Sequence, residues 1–272
     1  NLRARSMILR VVREFFQDRD FIEVETPVRI DAPAPELHIE GEPAGDSFLR
    51  TSPELHMKRL LASGMERLFQ IGPCFRRGEK GELHNPEYTM LEWYRAEANY
   101  IDILADAKSL ILHIASKLLG QTHLTYGDTT IDLVPWERST VREAVILHAG
   151  WDPVASYDGD RFDLDLVDRV EPALPRDVPV LLTDYPREAA ALARLKENDL
   201  LVAERWELII GGLELANAYS ELTDPEEQRL RFEQCNQQRK RMGKEAYPVD
   251  ELSLIHISEP TRRYAISYAV FS

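Results

Sequence analysis

The stretch of sequence that decides the fold is FRRGEKGELHNPEYTMLEWYR, residues 75–95. It predicts a strand that ends at Arg76, a short polar loop, and a second strand of alternating character. Because strand side chains alternate between two faces, Met90, Glu92 and Tyr94 are expected on one face. A carboxylate and a phenol that point the same way, beside a loop rich in cations, suggest a pocket for a cationic substrate and a polyphosphate.

A second informative stretch is ELIIGGLELANAYSE, residues 207–221. Its glycine pair, Gly211 and Gly212, predicts a two-residue hairpin turn that pairs Ile209 with Glu214. Glu207 then shares the face of Glu214 as a diagonal neighbour, about 7–8 Å away. Two carboxylates at that spacing predict a magnesium site.

The spacing of Glu214 and Asn217 in the same stretch does not fit a regular strand with both side chains on one face. In a regular strand Glu214 and Asn217 point to opposite sides, so a bulge or bend between them is needed to bring them together. Asn217 and Glu221 are four residues apart and share a face in a strand or a helix.

The composition is that of a globular protein, with 44% hydrophobic and 29% charged residues in 272. Strands and helices follow each other without regular βαβ alternation, which favours an α+β fold with a mainly antiparallel sheet in one domain. No apolar run approaches the roughly 20 residues that span a bilayer. The only cysteines, Cys74 and Cys235, form no metal motif or disulfide framework, which fits the cytoplasm.

The net charge is −14, from 47 acidic and 33 basic residues. Nucleic-acid binders usually carry a basic surface, so this balance argues against a tRNA as the main partner. Walker A, GxGxxG, HExxH and GxSxG motifs are absent, so a nucleotide would be held by scattered side chains.

Periodicity and capping residues predict the other elements. Helices are expected at 2–18 (with Ile8, Val12, Phe15 and Phe16 inward), 53–61, 102–119, 140–147 and 224–242; strands at 21–26 and 178–182, and a strand pair at 201–222. The acidic segment 150–178 is interpreted as a surface insertion.

Residues 75–95 resemble motif 2 of the class II aminoacyl-tRNA synthetases, in the form used by the lysine branch. The helix and strand that end at Pro27 resemble motif 1, which builds the dimer interface in that family. The resemblance covers residues 1–251 and implies the family's catalytic domain, a mainly antiparallel sheet flanked by helices, with ATP and Mg²⁺ as cofactors and a homodimer as the assembly.

The resemblance also implies roles for individual residues. Arg76 would be the catalytic residue that grips the α-phosphate of ATP. The family pattern is FRxE, but here the acid comes one residue later, as Glu79, which leaves its role open. The implied ATP-binding set is Arg76, Arg77, Gly78, Glu79, His84, Asn85, Tyr88, Glu214 and Leu215.

The implied amino-acid site contains three carboxylates, which suits a ligand with two ammonium groups such as a lysine isomer. Glu207 and Glu214 would hold the metal. The implied substrate-binding set is Ser52, Pro53, Glu54, Glu92, Tyr94, Asn217 and Glu221.

Within the family, the chain begins almost at motif 1, without room for an N-terminal anticodon-binding OB-fold. It therefore resembles the stand-alone lysyl-tRNA synthetase paralogues that modify elongation factor P. That resemblance implies activation of (R)-β-lysine or lysine as an aminoacyl-adenylate and transfer to a lysine side chain of elongation factor P. A catalytic fragment of lysyl-tRNA synthetase and a non-catalytic synthetase-like binding protein are the alternatives.

The end of the chain departs from the family pattern. Motif 3, a glycine-rich strand and helix ending in Asp-Arg, is expected after Glu251 and is not found there. Residues 252–272 look like a translated sequencing adapter. We therefore expect a catalytic domain at 1–251 that lacks motif 3, and a non-native tail that does not fill the place of the missing strand.

Overall fold

The computed structural model describes residues 2–81, 83–251, 254 and 267–271. The chain divides into two compact units. Of the described residues, the first unit contains 2–20, 98–220 and 267–269, and the second contains 21–81, 83–97, 221–251, 254 and 270–271.

The first unit combines helices with a sheet of the order β13-β12-β10-β9, to which β11 adds by pairing with β12. Its helices are α1 (Leu2–Gln17), α3 (Tyr100–Leu119), α4 (Val141–Ala149) and α5 (Gly159–Asp165). Its sheet strands are β9 (Glu137–Thr140), β10 (Val180–Pro186), β11 (Leu195–Lys196), β12 (Asp199–Ile210) and β13 (Leu213–Ser220), and β7 (His123–Tyr126) and β8 (Thr129–Asp132) form a separate hairpin.

The second unit is built on the order β1-β5-β6, beside a small three-stranded sheet of the order β2-β4-β3. Its strands are β1 (Ile22–Glu23), β2 (Arg29–Ile30), β3 (Glu42–Ala44), β4 (Ser47–Leu49), β5 (Arg67–Phe75) and β6 (Glu87–Arg95). Its helices are α2 (Glu54–Ala62) and α6 (Pro225–Arg241).

The pairing pattern confirms the expected α+β class. Apart from the parallel pairs β1–β5 and β9–β10, the strand pairings described within the two units are antiparallel. The long hairpin β5–β6 places Gln70 opposite Glu92 and Leu68 opposite Tyr94.

Capping residues explain where the main helices begin and end. Asn99 caps α3 through a capping box with Asp102, and Gly120 ends the helix in the left-handed conformation, φ 67°. Thr140 caps α4 in the same way with Glu143. Asp224 accepts hydrogen bonds at the start of α6.

Several predicted boundaries need correction. In α1 Val12, Phe15 and Phe16 are buried as expected, but Ile8 is exposed. The strand expected at 21–26 is only the two-residue β1, and α2 begins one residue after Pro53, which occupies the N-cap position.

The prediction of a surface insertion at 150–178 is wrong. This segment contains α5 and further helical turns, and Phe162, Val170 and Leu174 are buried in one hydrophobic cluster with Leu182 and Ile209. Its many acidic residues hide this packing, because few apolar side chains are sufficient to anchor short helical turns against a sheet.

The expectation for the tail is tested in part. Residues Ser267–Phe271 form a short strand, β14, which lies beside β13 in the sheet order, so the tail does supply a strand there. The expectation that it would leave this place unfilled is wrong for those five residues. Residues 252, 253, 255–266 and 272 lie outside the described part, and the non-native origin of the tail stays a prediction.

Candidate active site

The loop between β5 and β6 begins at Arg76, as predicted. The backbone N–H of Arg76 donates to the carbonyl of Pro86 (2.9 Å), which closes the mouth of the loop. Gly78 has φ +80°, a conformation that favours glycine, and Glu79 turns back so that its Oε2 lies 3.7 Å from Nη1 of Arg76. A tight turn at Gly78 therefore brings Glu79 to Arg76.

The side chain of Arg76 retains an N–H donor that the described residues do not use. Its guanidinium lies 5.2 Å from the ring centroid of Tyr88, and its buried Nε has no hydrogen-bond partner among the described residues. Tyr88 is itself fixed, because its hydroxyl donates to the carbonyl of Thr51 (3.3 Å). A half-buried guanidinium with an unused N–H is suited to bind a phosphate oxygen.

The other residues of the predicted ATP-binding set in this loop are more exposed to solvent. The N–H of Arg77 donates to the carbonyl of Glu40 (2.8 Å). His84 and Asn85 are exposed on the returning part of the loop. The structure thus brings Glu79 and Tyr88 to Arg76 and leaves His84 and Asn85 facing solvent.

Apart from Asn217, which lies on β13 in the first unit, the predicted amino-acid site belongs to the second unit, where several of its residues group around Glu92. Glu92 is completely buried, and its two oxygens accept hydrogen bonds from Tyr94 Oη (2.7 Å) and Ser52 Oγ (2.8 Å). Ser52 Oγ also accepts from the N–H of Glu54 (3.0 Å), which ties the start of α2 to β6. Pro53, at the N-cap of α2, separates the two contacting residues.

Burial controls the charge of this group. Burial is the largest cause that raises the pKa of Glu92, the neighbouring Glu54 raises it too, and the resulting pKa is about 8. The hydrogen bonds from Tyr94 and Ser52 act in the opposite direction because they stabilise the carboxylate. Glu92 therefore titrates near neutral pH.

Lys58 is the residue of this site that sequence reasoning missed. Its Nζ lies 2.5 Å from Oε1 of Glu54 and 2.6 Å from Oε2 of Glu221, and its side chain is only 3% exposed. The four-residue spacing of Glu54 and Lys58 in a helix could have predicted the first contact. The second contact joins α2 to a residue far along the chain.

Glu221 presents one oxygen that the protein does not use. It is 1% exposed, and its Oε1 accepts no hydrogen bond from the described residues. Burial raises the pKa of Glu221 well above its ordinary value, while Lys58 lowers it. An unsatisfied buried carboxylate oxygen is costly and indicates a missing cationic or hydrogen-bonding ligand.

The predicted metal face lies in the first unit, on β12 and β13. Ile210 pairs with Leu213 and Ile209 with Glu214, as predicted for the Gly211-Gly212 turn. The register then shifts, because Leu208 pairs with Ala216 and leaves Leu215 as the extra residue of a bulge.

The bulge decides which side chains share a face. Glu207 lies opposite Asn217 and diagonal to Glu214, so all three belong to one face. The required bend is therefore confirmed. Glu207 also has a cationic partner within the protein, because Nη2 of Arg205 lies 2.6 Å from its Oε1.

These residues fit a magnesium ion that is shared with a nucleotide. No group of three or more metal-binding side chains occurs in the described part of the chain. Mg²⁺ commonly takes only one or two carboxylates and completes its shell with phosphate oxygens and water. Glu207 and Glu214 supply that number of carboxylates, and Glu214 is exposed.

Two further observations concern membrane-spanning helices and the state of the two cysteines. Among the helices in the described residues, none is long and apolar enough to cross a membrane. Cys74 and Cys235 are free thiols.

Comparison with known proteins agrees with these features. The sequence model of the family "tRNA synthetases class II (D, K and N)" matches residues 1–250. A Proteus mirabilis protein named elongation factor P–(R)-β-lysine ligase is 38% identical over 270 residues, 92% of this chain and 82% of its own length. Proteins of the same name from Vibrio parahaemolyticus and Yersinia enterocolitica are 37% and 36% identical over the same shares. The chain therefore belongs to the class II tRNA synthetase family, where it is a relative of the elongation factor P–(R)-β-lysine ligases.

Proposed function

We propose that this protein is an ATP-dependent ligase that activates (R)-β-lysine, or lysine, and transfers it to a lysine side chain of elongation factor P. The observation that carries the proposal is the buried group of Glu54, Glu92 and Glu221, with an unsatisfied oxygen on Glu221. A buried group of carboxylates that retains one unsatisfied oxygen suits a ligand with ammonium groups. The names of the relatives support the choice of β-lysine and of the acceptor.

In the first step, a carboxylate oxygen of the amino acid attacks the α-phosphorus of ATP. The bond from that phosphorus to the bridging oxygen breaks, and pyrophosphate leaves with the electron pair. Arg76 would bind the α-phosphate oxygens through its unused N–H and stabilise the charge that builds up there. Glu92 and Glu221 would hold the ammonium groups and so orient the carboxylate.

In the second step, the acceptor amine attacks the acyl carbon of the adenylate, AMP leaves, and the amine loses a proton. Glu207 and Glu214 would hold Mg²⁺, which supplies neutralisation of phosphate charge when it is bound. Asn217 shares their face and would contact the substrate. We place the reaction in the cytoplasm and in a homodimer, as the family resemblance and the free thiols suggest.

The test is ATP–pyrophosphate exchange followed by acceptor labelling. The enzyme would be residues 1–251 joined to the C-terminal part of the Proteus mirabilis relative. We expect exchange with β-lysine or lysine but not with norleucine, which lacks the side-chain ammonium, and labelling of elongation factor P rather than of tRNA. Exchange with labelling of tRNA alone would indicate a lysyl-tRNA synthetase instead. Absence of exchange with every lysine isomer would contradict the proposal.

A further inference from the structure

Lys58 is the only cation in direct contact with the buried carboxylates Glu54 and Glu221 among the ion pairs described. Both distances, 2.5 and 2.6 Å, are those of close ion pairs, and the contact with Glu54 is also a charge-assisted hydrogen bond. The negative neighbours keep Lys58 charged, since they raise its pKa against the effect of burial, which is the largest influence and lowers it. The ammonium is therefore a permanent part of the site.

The charges of the site then add up in a specific way. Glu54, Glu92 and Glu221 contribute three negative charges when they are ionised, and Lys58 cancels one of them. Two negative charges remain, which equals the number of ammonium groups on lysine or β-lysine. The three acids alone would outnumber the two ammonium groups.

The contacts also show that the three acids have different partners. Glu54 lies one helical turn before Lys58 on α2 and takes one of its N–H donors. Glu221 meets Lys58 through Oε2 and leaves Oε1 without a hydrogen bond from the described residues. Glu92 is held separately by Ser52 and Tyr94.

We propose that Lys58 is a positioning residue that sets the charge of the amino-acid site: it neutralises Glu54 and fixes Glu221 by one oxygen, so that Glu92 and Glu221 together accept a diamino acid. This inference rests on the proposed function for the identity of the ligand. It assigns Glu54 a role that acts through Lys58, instead of a separate ammonium contact.

The test uses the 272-residue chain and measures binding of lysine, β-lysine and norleucine by calorimetry at about pH 8.5, where Glu92, with its pKa raised to about 8, is mostly ionised. The single variant Lys58→Met removes the charge with little change of volume. The double variant Glu54→Gln/Lys58→Met removes both members of the pair and restores the net charge of the site. Lys117→Met, on the exposed face of α3, serves as the control.

We expect Lys58→Met to bind the lysine isomers on the order of tenfold or more weakly, because breaking one side of a buried pair leaves an uncompensated charge. One of the acids then takes up a proton and loses its ability to bind an ammonium group. The double variant should recover most of the affinity, while norleucine binding should change little in both variants. The control should bind like the wild type.

The results distinguish a failure of the proposed function from a failure of the role of Lys58. If the wild-type chain binds neither lysine isomer in preference to norleucine, the proposed function is contradicted. If the wild type binds them and Lys58→Met binds equally well, the role of Lys58 is contradicted alone. The role of Lys58 is also contradicted if the single and double variants lose affinity equally for all three ligands. That pattern indicates structural damage instead of a charge effect.

Discussion

Glu207 lies directly opposite Asn217 on the paired strands β12 and β13, although the sequence places Asn217 out of phase with Glu214. The extra residue Leu215 removes the conflict, because a bulge shifts every later side chain to the other face of the strand. One inserted residue therefore assembles two acids and an amide on a single face.

The first prediction concerns Arg76. In the exchange assay with the completed chain, Arg76→Ala should lower the rate on the order of 10²-fold or more, because a preorganised donor to the reacting phosphate is lost. The matched control is Arg142→Ala, which removes a surface ion pair to Asp152 and should retain activity. Near-normal exchange in Arg76→Ala would show that Arg76 is not the catalytic residue.

The second prediction separates the metal face from the amino-acid site. Glu214→Gln should raise the magnesium concentration needed for half-maximal exchange, because one of the two metal-binding carboxylates is lost. Glu221→Gln should leave that concentration unchanged and raise the KM for lysine at saturating ATP, since Gln cannot pair with an ammonium group. Glu233→Gln, on the exposed side of α6, is the control for both. Identical magnesium profiles and unchanged lysine KM values in the two variants would refute this division.

The third prediction is a pH dependence of substrate binding through Glu92. Because its pKa is raised to about 8, Glu92 is mostly protonated at pH 6.5 and becomes a carboxylate as the pH rises. Only the carboxylate pairs with an ammonium group, so the KM for lysine should fall between pH 6.5 and about pH 8. The groups that face Glu92 are Glu54, Lys58, Tyr94 and Ser52.

The variant Glu92→Gln identifies the titrating group, because Glu221 also has a raised pKa. Steady-state kinetics across this pH range should show a high and nearly constant KM in Glu92→Gln. If the variant keeps the full wild-type pH dependence, another group is responsible.

The fourth prediction concerns residues 252–272. They contain no glycine-rich segment that ends in Asp-Arg, so these residues do not supply the motif 3 that the family resemblance implies. The 272-residue chain should therefore show no exchange above background, while the version completed from the Proteus mirabilis relative should be active. Clear turnover by the 272-residue chain would show that its own tail is functional.

Local sequence determined much of the fold and part of the site. Alternation placed Glu92 and Tyr94 on one face of β6, and the hydrogen bond between them confirms it. Gly211 and Gly212 fixed the hairpin and its first pairs, since both adopt positive φ. Such features depend on residues that are near one another in the chain, so a periodic pattern or a turn residue is sufficient to predict them.

Tertiary structure alone decided the rest. The acidic segment 150–178 packs into the core because a few side chains such as Phe162 find partners on distant strands. The bulge at Leu215 is set by the register of the facing strand, and a sequence pattern does not contain that register. Lys58 acquires its second partner, Glu221, only when α2 meets a residue that follows β13. The sequence by itself thus determined which acids and bases are available, while the fold determined which of them neutralise each other and which oxygen remains for a ligand, because burial and pairing depend on contacts between distant parts of the chain.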